Sequence, residues 1–179
     1  MSTQRRARRL APLLAALGAA LSAPAPASAL PSDVPLRALA SDHFTERDGL
    51  PQNAVRALLH AAGGELWVAT DEGLGRYDGA GWTRVDRAEV PGLGSNIVTA
   101  LAETADGTMW IGTYDAGLVQ RHDGRFSPVS IPGAPGGLSV RALAPDAAGG
   151  LWVATSSGVF HLRGERVDAY TMADGLPDD

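Results

Sequence analysis

The side chains of this chain that could do chemistry are few, and two reactive types are missing. The chain has 179 residues with no cysteine, and all 15 of its basic residues are arginines, so it also lacks lysine. Without thiols there is no disulfide framework, no thiolate zinc site and no cysteine nucleophile. Without lysine there is neither a phosphate-loop lysine nor a Schiff base. These absences exclude several common enzyme classes.

The four histidines do not form a recognisable metal or catalytic group. They are His43, His60, His122 and His161. No two occupy the same place in the repeats described below, and none has a partner at the spacing of metal ligands. The sequence therefore predicts scattered surface or strand histidines and no metal site.

Other catalytic motifs are also incomplete. The Gly73-Leu74-Gly75 and Gly92-Leu93-Gly94 runs lack a following helix and a lysine, so they are predicted to be turns. The Asp-Gly pairs lack the alternating acidic ligands of a calcium loop. We predict no catalytic residue, no cofactor-binding residue and no cofactor. A pair of carboxylates for glycoside chemistry stays open, because distances between repeats cannot be read from a sequence.

The elements that would position any site come from a unit that occurs three times. Residues 64–70, 107–113 and 149–155 share a glycine, then a tryptophan three residues on, then a threonine three residues later. The tryptophans are 43 and 42 residues apart, a period typical of propeller blades. The predicted repeat core comprises Trp67, Trp110 and Trp152; Thr70, Thr113 and Thr155; Val55, Val98 and Val140; and Gly64, Gly107 and Gly149.

Each repeat is predicted to hold four short strands. The first begins near the valine, and the second carries the tryptophan and is apolar on both faces, as expected of a strand buried on both sides. Glycine turns separate the others, and Asp-Gly suits tight hairpins because it tolerates positive φ. Such a sheet must be covered on both faces, and stacking copies around an axis does this. The fold class is therefore all-β, a β-propeller of three four-stranded antiparallel blades. A β-solenoid, whose repeats are usually shorter, is the alternative.

The first 29 residues are predicted to be a signal peptide. Four arginines between positions 5 and 9 precede an apolar run from Leu10 to Leu21, and Ala27-Ser28-Ala29 is a small-residue cleavage site. This is the three-part pattern of a secretory signal, and the run is shorter than the roughly 20 residues of a membrane span. We therefore expect a periplasmic protein whose mature N-terminus is Leu30.

The repeats set the predicted domain boundaries. Residues 30–44 are a lead-in and closing strand, residues 45–86, 87–130 and 131–171 are repeats 1 to 3, and residues 172–179 open repeat 4. Propellers close with roughly four to eight blades. We therefore expect an incomplete, truncated propeller that self-associates and whose missing C-terminal blades are natural partners.

Charge argues against nucleic acid as a partner. Loss of the four arginines of the signal peptide takes the formal charge from −5 to −9, and no basic block remains. An acidic surface repels phosphate backbones.

With the repeats described, the chain resembles the two-component regulator propeller repeat over residues 45–179. The second repeat keeps the tryptophan strand but lacks the entry proline, and the third has Val159 where the pattern has leucine. In the first repeat the residues that carry the resemblance are Leu50-Pro51, Val55, Gly64, Leu66-Trp67-Val68-Ala69-Thr70 and Gly73-Leu74.

The resemblance implies a non-catalytic periplasmic sensor in signal transduction. In that family two propellers in series precede a β-sandwich, a membrane helix and a cytoplasmic histidine kinase or diguanylate cyclase. The implied partners are a small-molecule or oligosaccharide ligand and a transmitter domain outside this chain, through which alone it would meet a membrane. The alternatives are a propeller enzyme, either a lyase or a glycan-active hydrolase, and a scaffold for protein contacts. The residues that follow Asp179 would separate these readings.

Overall fold

The structure, a computed structural model, describes residues 41–177 and contains twelve strands. The predicted signal peptide and the lead-in up to residue 40 lie outside the described residues. The strands are β1 Val55–His60, β2 Leu66–Thr70, β3 Gly73–Tyr77, β4 Trp82–Val85, β5 Val98–Glu103, β6 Met109–Thr113, β7 Leu118–His122, β8 Arg125–Val129, β9 Val140–Pro145, β10 Leu151–Thr155, β11 Gly158–Arg163 and β12 Arg166–Tyr170.

The strands form three four-stranded antiparallel sheets in which neighbours in the chain are neighbours in the sheet. The orders are β1-β2-β3-β4, β5-β6-β7-β8 and β9-β10-β11-β12. Between residues 41 and 177 the only helical segments are three-residue 3-10 turns. The predicted fold class, three four-stranded antiparallel propeller blades, is therefore confirmed.

The repeated threonine closes the turn between the second and third strands of each sheet. The Thr70 hydroxyl donates to the carbonyl of Gly73 at 2.8 Å and accepts the amide of Glu72 at 3.1 Å. Thr113 donates in the same way to the carbonyl of Gly117, just before β7, at 2.8 Å, and Thr155 to the carbonyl of Gly158, the first residue of β11, at 2.7 Å. All three threonines are buried. The repeat keeps threonine because this buried turn needs one side-chain group that both donates and accepts.

Sheets pack face to face, and the tryptophans of the first and second sheets each pack toward the following sheet. Trp67 and Ala69 of the first sheet share a buried cluster with Met109 and Ile111 of the second. Trp110 packs against the cluster between the second and third sheets. Alternate residues of β6 thus serve the two interfaces, as the period of two in a strand requires.

Five members of the predicted repeat core are exposed: Val55, Trp152 and the three glycines Gly64, Gly107 and Gly149. Trp67 is 2% exposed, but Trp152 is 36% exposed and Val55 is 45% exposed. The three tryptophans, all assigned to the repeat core by the sequence, therefore differ in burial: Trp67 is buried, Trp110 is half-buried and Trp152 is exposed. Trp152 faces away from the second sheet, and Val55 lies on the opposite outer face, where the described residues place no further sheet. Val98 and Val140, which have a sheet before them, are fully buried.

The three sheets meet along their first strands, β1, β5 and β9. The Thr99 hydroxyl donates to the carbonyl of Val140 at 2.6 Å, which joins β5 to β9. A Cβ on Gly112 would lie 2.5 Å from Cγ1 of Val140. A side chain at this position would therefore require Val140 or the β6 backbone to shift.

Residues 45–51 and 171–177, whose sequences share the pattern Thr-x-x-Asp-Gly-Leu-Pro, have the same local structure. Thr45 and Thr171 each begin a 3-10 turn with a capping box, in which Asp48 or Asp174 accepts the amide of the capping threonine. No strand forms over residues 43–45, and Phe44 instead packs on the ring of Tyr77, with 5.2 Å between ring centres. The closing strand predicted within residues 30–44 stays a prediction.

Candidate functional site

A β-bulge interrupts the first strand of each sheet at the same place. The register shifts between Val55 and Ala57 in β1, with equivalent shifts in β5 and β9. One residue of each strand is therefore left without a partner in the ladder. Bulges re-aim side chains and occur often beside functional sites. The three bulged residues are Arg56, Thr99 and Arg141.

A second set of residues lies beside the bulges, one position after each buried threonine. These residues are Asp71, Tyr114 and Ser156. The amide of Tyr114 donates to the carbonyl of Ile97 at 3.0 Å, and the amide of Ser156 donates to the carbonyl of Ser139 at 2.9 Å. Each is thus tied to the segment that enters the first strand of its own sheet. We name the six residues of the two sets the inner rim.

The inner rim has two arginines, of which Arg56 has a carboxylate partner and Arg141 has none among the described residues. The Arg56 guanidinium donates to both carboxylate oxygens of Asp71, and the Nη2–Oδ2 distance is 2.8 Å. This hydrogen bond lowers the pKa of the Asp71 carboxyl. Arg141 is exposed and makes no hydrogen bond or ion pair within residues 41–177. Tyr114 is also exposed. The rim therefore offers one unpaired cation, an aromatic ring and hydroxyl groups, a set that suits a ligand rich in hydroxyl or carboxylate oxygens.

The histidines with polar partners serve turns. His161 Nε2 lies 2.6 Å from Oδ2 of Asp146, and the His161 ring stacks on Trp152 with 3.8 Å between centres. The amide of Gly150, then His161, lowers the pKa of the Asp146 carboxyl. His122 shares a hydrogen bond of 3.0 Å with the Thr108 hydroxyl. Over residues 41–177 no group of three or more histidine, aspartate or glutamate side chains is arranged to hold a metal.

The sequence motifs indicate no ligand residue, and the inner rim does not follow from them. A pattern does exist in the sequence: the position after the core valine and the position after the core threonine are polar in all three repeats. None of the predicted repeat-core residues belongs to the inner rim. Thr70, Thr113 and Thr155 directly precede its second set, and Gly64, Gly107 and Gly149 turn the chain at the other end of the sheets, with φ of 90°, 79° and 85°.

Comparison with solved structures supports the propeller fold. The extracellular domain of a protein described as a hybrid two component system of B. thetaiotaomicron matches with a TM-score of 0.64 at 21% identity, over 76% of this chain and 19% of that one. A second extracellular domain, from a B. thetaiotaomicron protein described as a one component system, matches with a TM-score of 0.62 at 22% identity and the same coverage. This chain thus spans only 19% of the length of these relatives.

A virginiamycin B lyase from Staphylococcus aureus also matches, with a TM-score of 0.54 at 15% identity, over 68% of this chain and 43% of that one. At these identities the likeness concerns the fold alone. No curated protein matches the chain. No helix among residues 41–177 is long and apolar enough to cross a membrane.

A family model supplies the remaining comparison. Residues 92–115 match the family described as two component regulator propeller. The match runs from the loop that enters the second sheet to the end of its tryptophan strand. The predicted resemblance is therefore confirmed, and the chain carries the two component regulator propeller repeat within three consecutive four-stranded sheets of a β-propeller.

Proposed function

We infer that this chain is a ligand-sensing, non-catalytic propeller module of a two-component-type signalling protein. One observation carries this proposal: the inner rim gathers polar side chains from all three sheets at the edge where their first strands meet. The family match at residues 92–115 supports the signalling context. A kinase or cyclase transmitter, which the proposal requires, would lie outside this chain.

The inner rim supports binding rather than catalysis. Bond cleavage needs a base or nucleophile positioned by hydrogen bonds, and the rim holds an arginine–aspartate pair, a free arginine and hydroxyls. His161 and His122 are engaged in turns between strands, away from the rim. No observation on this chain favours a lyase or a glycan-active hydrolase over a sensor.

The proposed ligand is a small hydroxylated molecule, with an acidic oligosaccharide as the class that fits best. The unpaired Arg141 would hold a carboxylate, and the exposed ring of Tyr114 would cover a sugar face.

We expect one acidic member of an oligosaccharide panel to bind the full chain in calorimetry. Arg141→Ala should weaken that binding by about tenfold or more, because hydrogen bonds to charged groups are worth roughly 1.5–3 kcal/mol.

Arg125→Ala is the matched control, since Arg125 is an exposed arginine in the hairpin between β7 and β8. It should leave the affinity unchanged. The proposal is contradicted if no oligosaccharide binds, or if Arg141→Ala and Arg125→Ala bind equally well. Tyr114→Ala is a second test, because loss of the ring should weaken the binding of neutral and acidic ligands alike.

Export is part of the proposal and has its own prediction. The signal-peptide pattern predicts cleavage after Ala29 when the full-length chain is expressed in a bacterium. Mass spectrometry of the periplasmic fraction should find a mature N-terminus at Leu30. Replacing Ala27 and Ala29 with bulky residues should block cleavage, because the peptidase requires small side chains there. A soluble cytoplasmic protein with an intact N-terminus would contradict export.

A further inference from the structure

The interface between the first two sheets shows which group lies beside the repeated tryptophan. Arg121 of β7 places its guanidinium carbon 5.0 Å from the ring centre of Trp67 and 5.9 Å from the ring centre of Phe126. A cation over an aromatic face is attracted by the negative charge of that face. A guanidinium held by two aromatic rings therefore fills this part of the interface.

The equivalent positions of the next interface hold smaller, uncharged side chains. Arg121 pairs with Phe126 across the β7–β8 ladder, and Leu162 pairs with Val167 across the β11–β12 ladder. The tryptophan at this second interface is Trp110. Leucine and valine thus replace arginine and phenylalanine, and the space that the guanidinium fills in the first interface has no counterpart side chain in the second.

A cavity of about 430 Å³ lies at that place, within the range of roughly 300–1,000 Å³ typical of small-molecule sites. Its lining includes Trp110, Leu162 and Val167, together with Gln120, Asp106 and Glu165. The two charged residues of the lining are both carboxylates. The cavity is therefore acidic where the first interface contains a cation.

The two carboxylates line the same cavity as the Trp110 ring. Asp106 accepts hydrogen bonds from the Thr104 hydroxyl at 2.6 Å and from the Thr108 amide at 3.1 Å, and the Thr104 bond chiefly lowers the pKa of the Asp106 carboxyl. Trp110 Nε1 donates to the same Thr104 oxygen at 3.0 Å, which links the ring to the carboxylate. Glu165 makes no hydrogen bond or ion pair within the described part of the chain.

We propose that the cavity between the second and third sheets binds an alkylguanidinium group, which lies over Trp110 and donates to Asp106 and Glu165. The planar guanidinium matches carboxylate geometry and stacks on aromatic faces. The cavity lies at the end of β6 opposite the inner rim, so this site is independent of the proposed sensing function. The guanidinium can belong to a free small molecule or to an arginine side chain of a peptide.

Calorimetry of the full chain with three probes tests the proposal. Agmatine supplies an alkylguanidinium, a capped Gly-Arg-Gly peptide supplies an arginine side chain, and (4-aminobutyl)urea keeps the shape and the amine of agmatine but replaces its guanidinium by a neutral urea. We expect one site per chain for agmatine, and affinity for (4-aminobutyl)urea weaker by about tenfold or more. Binding of the peptide as well identifies peptide arginine as a source. Failure of both guanidinium probes to bind, or equal affinity for (4-aminobutyl)urea, would overturn the proposal.

Variants locate the binding. Glu165→Gln should weaken agmatine by about tenfold, whereas Glu89→Gln, which removes an exposed carboxylate elsewhere, should have no effect. Leu162→Arg places an arginine where the first interface has Arg121, so it should fill the cavity and abolish agmatine binding. If Leu162→Arg fails to fold, Glu165→Gln decides alone. Unchanged affinity in Glu165→Gln would overturn the site.

Discussion

Trp67→Ala is expected to lower the free energy of unfolding by about 3–5 kcal/mol, the usual range for a core aromatic. The ring is 2% exposed and packs in the cluster between the first and second sheets. Its removal would leave a cavity that two sheets cannot collapse without distortion. It would also leave the Arg121 guanidinium, 5.0 Å from the ring centre, without its aromatic partner. Urea unfolding at equilibrium measures the loss.

Trp152→Ala is the matched control for this prediction. Trp152 has the same place in its repeat and, like Trp67, stands between a leucine and a valine in its strand, but it is 36% exposed. Truncation of Trp152 removes less buried apolar area than truncation of Trp67. The loss in the free energy of unfolding should therefore be clearly smaller for Trp152→Ala than for Trp67→Ala. Trp110→Ala, with sheets on both sides, should fall in the range of about 3–5 kcal/mol. Equal losses for Trp67 and Trp152 would contradict the burial difference between the two faces.

Gly73→Ala should be the most damaging change in a turn, with an expected loss of about 2–4 kcal/mol. Two effects add at this position. Gly73 has φ of 112°, a conformation that side chains disfavour, and a Cβ would lie 2.6 Å from the carbonyl oxygen of Val85. That oxygen belongs to the last residue of β4, so the backbone of a paired strand would have to move. Urea unfolding measures the effect.

Gly79→Ala separates the two effects. Gly79 has a similar φ of 93°, but no atom lies within 4 Å of a Cβ built there. The substitution should therefore cost only the conformational part, on the order of 1 kcal/mol. If Gly73→Ala and Gly79→Ala lower the free energy of unfolding equally, the Val85 carbonyl moves aside at little cost. The close approach would then not contribute to the loss of stability. Gly158, with φ of 101° and the carbonyl of Tyr170 beside it, should behave as Gly73 does.

The repeat pattern by itself determined the strands and their order. The observed β1, β5 and β9 begin at Val55, Val98 and Val140, the valines near which the first strand of each repeat was predicted to begin. Strand positions follow from local patterns, because alternation of apolar residues and glycine-rich turns depends only on neighbours in the chain. The same holds for the threonine of each repeat, whose hydrogen bonds stay within one turn.

The sequence, by contrast, predicted no residue of a functional site, and a candidate site became visible only in the tertiary structure. The positions of Arg56, Thr99 and Arg141 were visible as a polar position after each valine, but a bulge is a feature of the pairing between strands and not of either strand alone. The cavity beside Trp110 likewise depends on Leu162 and Glu165, more than 50 residues later in the chain.

The same limit explains the three tryptophans. The sequence determined that each occupies the same strand position, and that the face it uses is apolar. The exposure of each ring depends on whether another sheet packs against it. Trp67 is covered by the second sheet and is buried, whereas no described sheet covers Trp152, which is exposed. Burial is a property of packing between distant segments, so identical local sequences can have different environments, and with them different contributions to stability and binding.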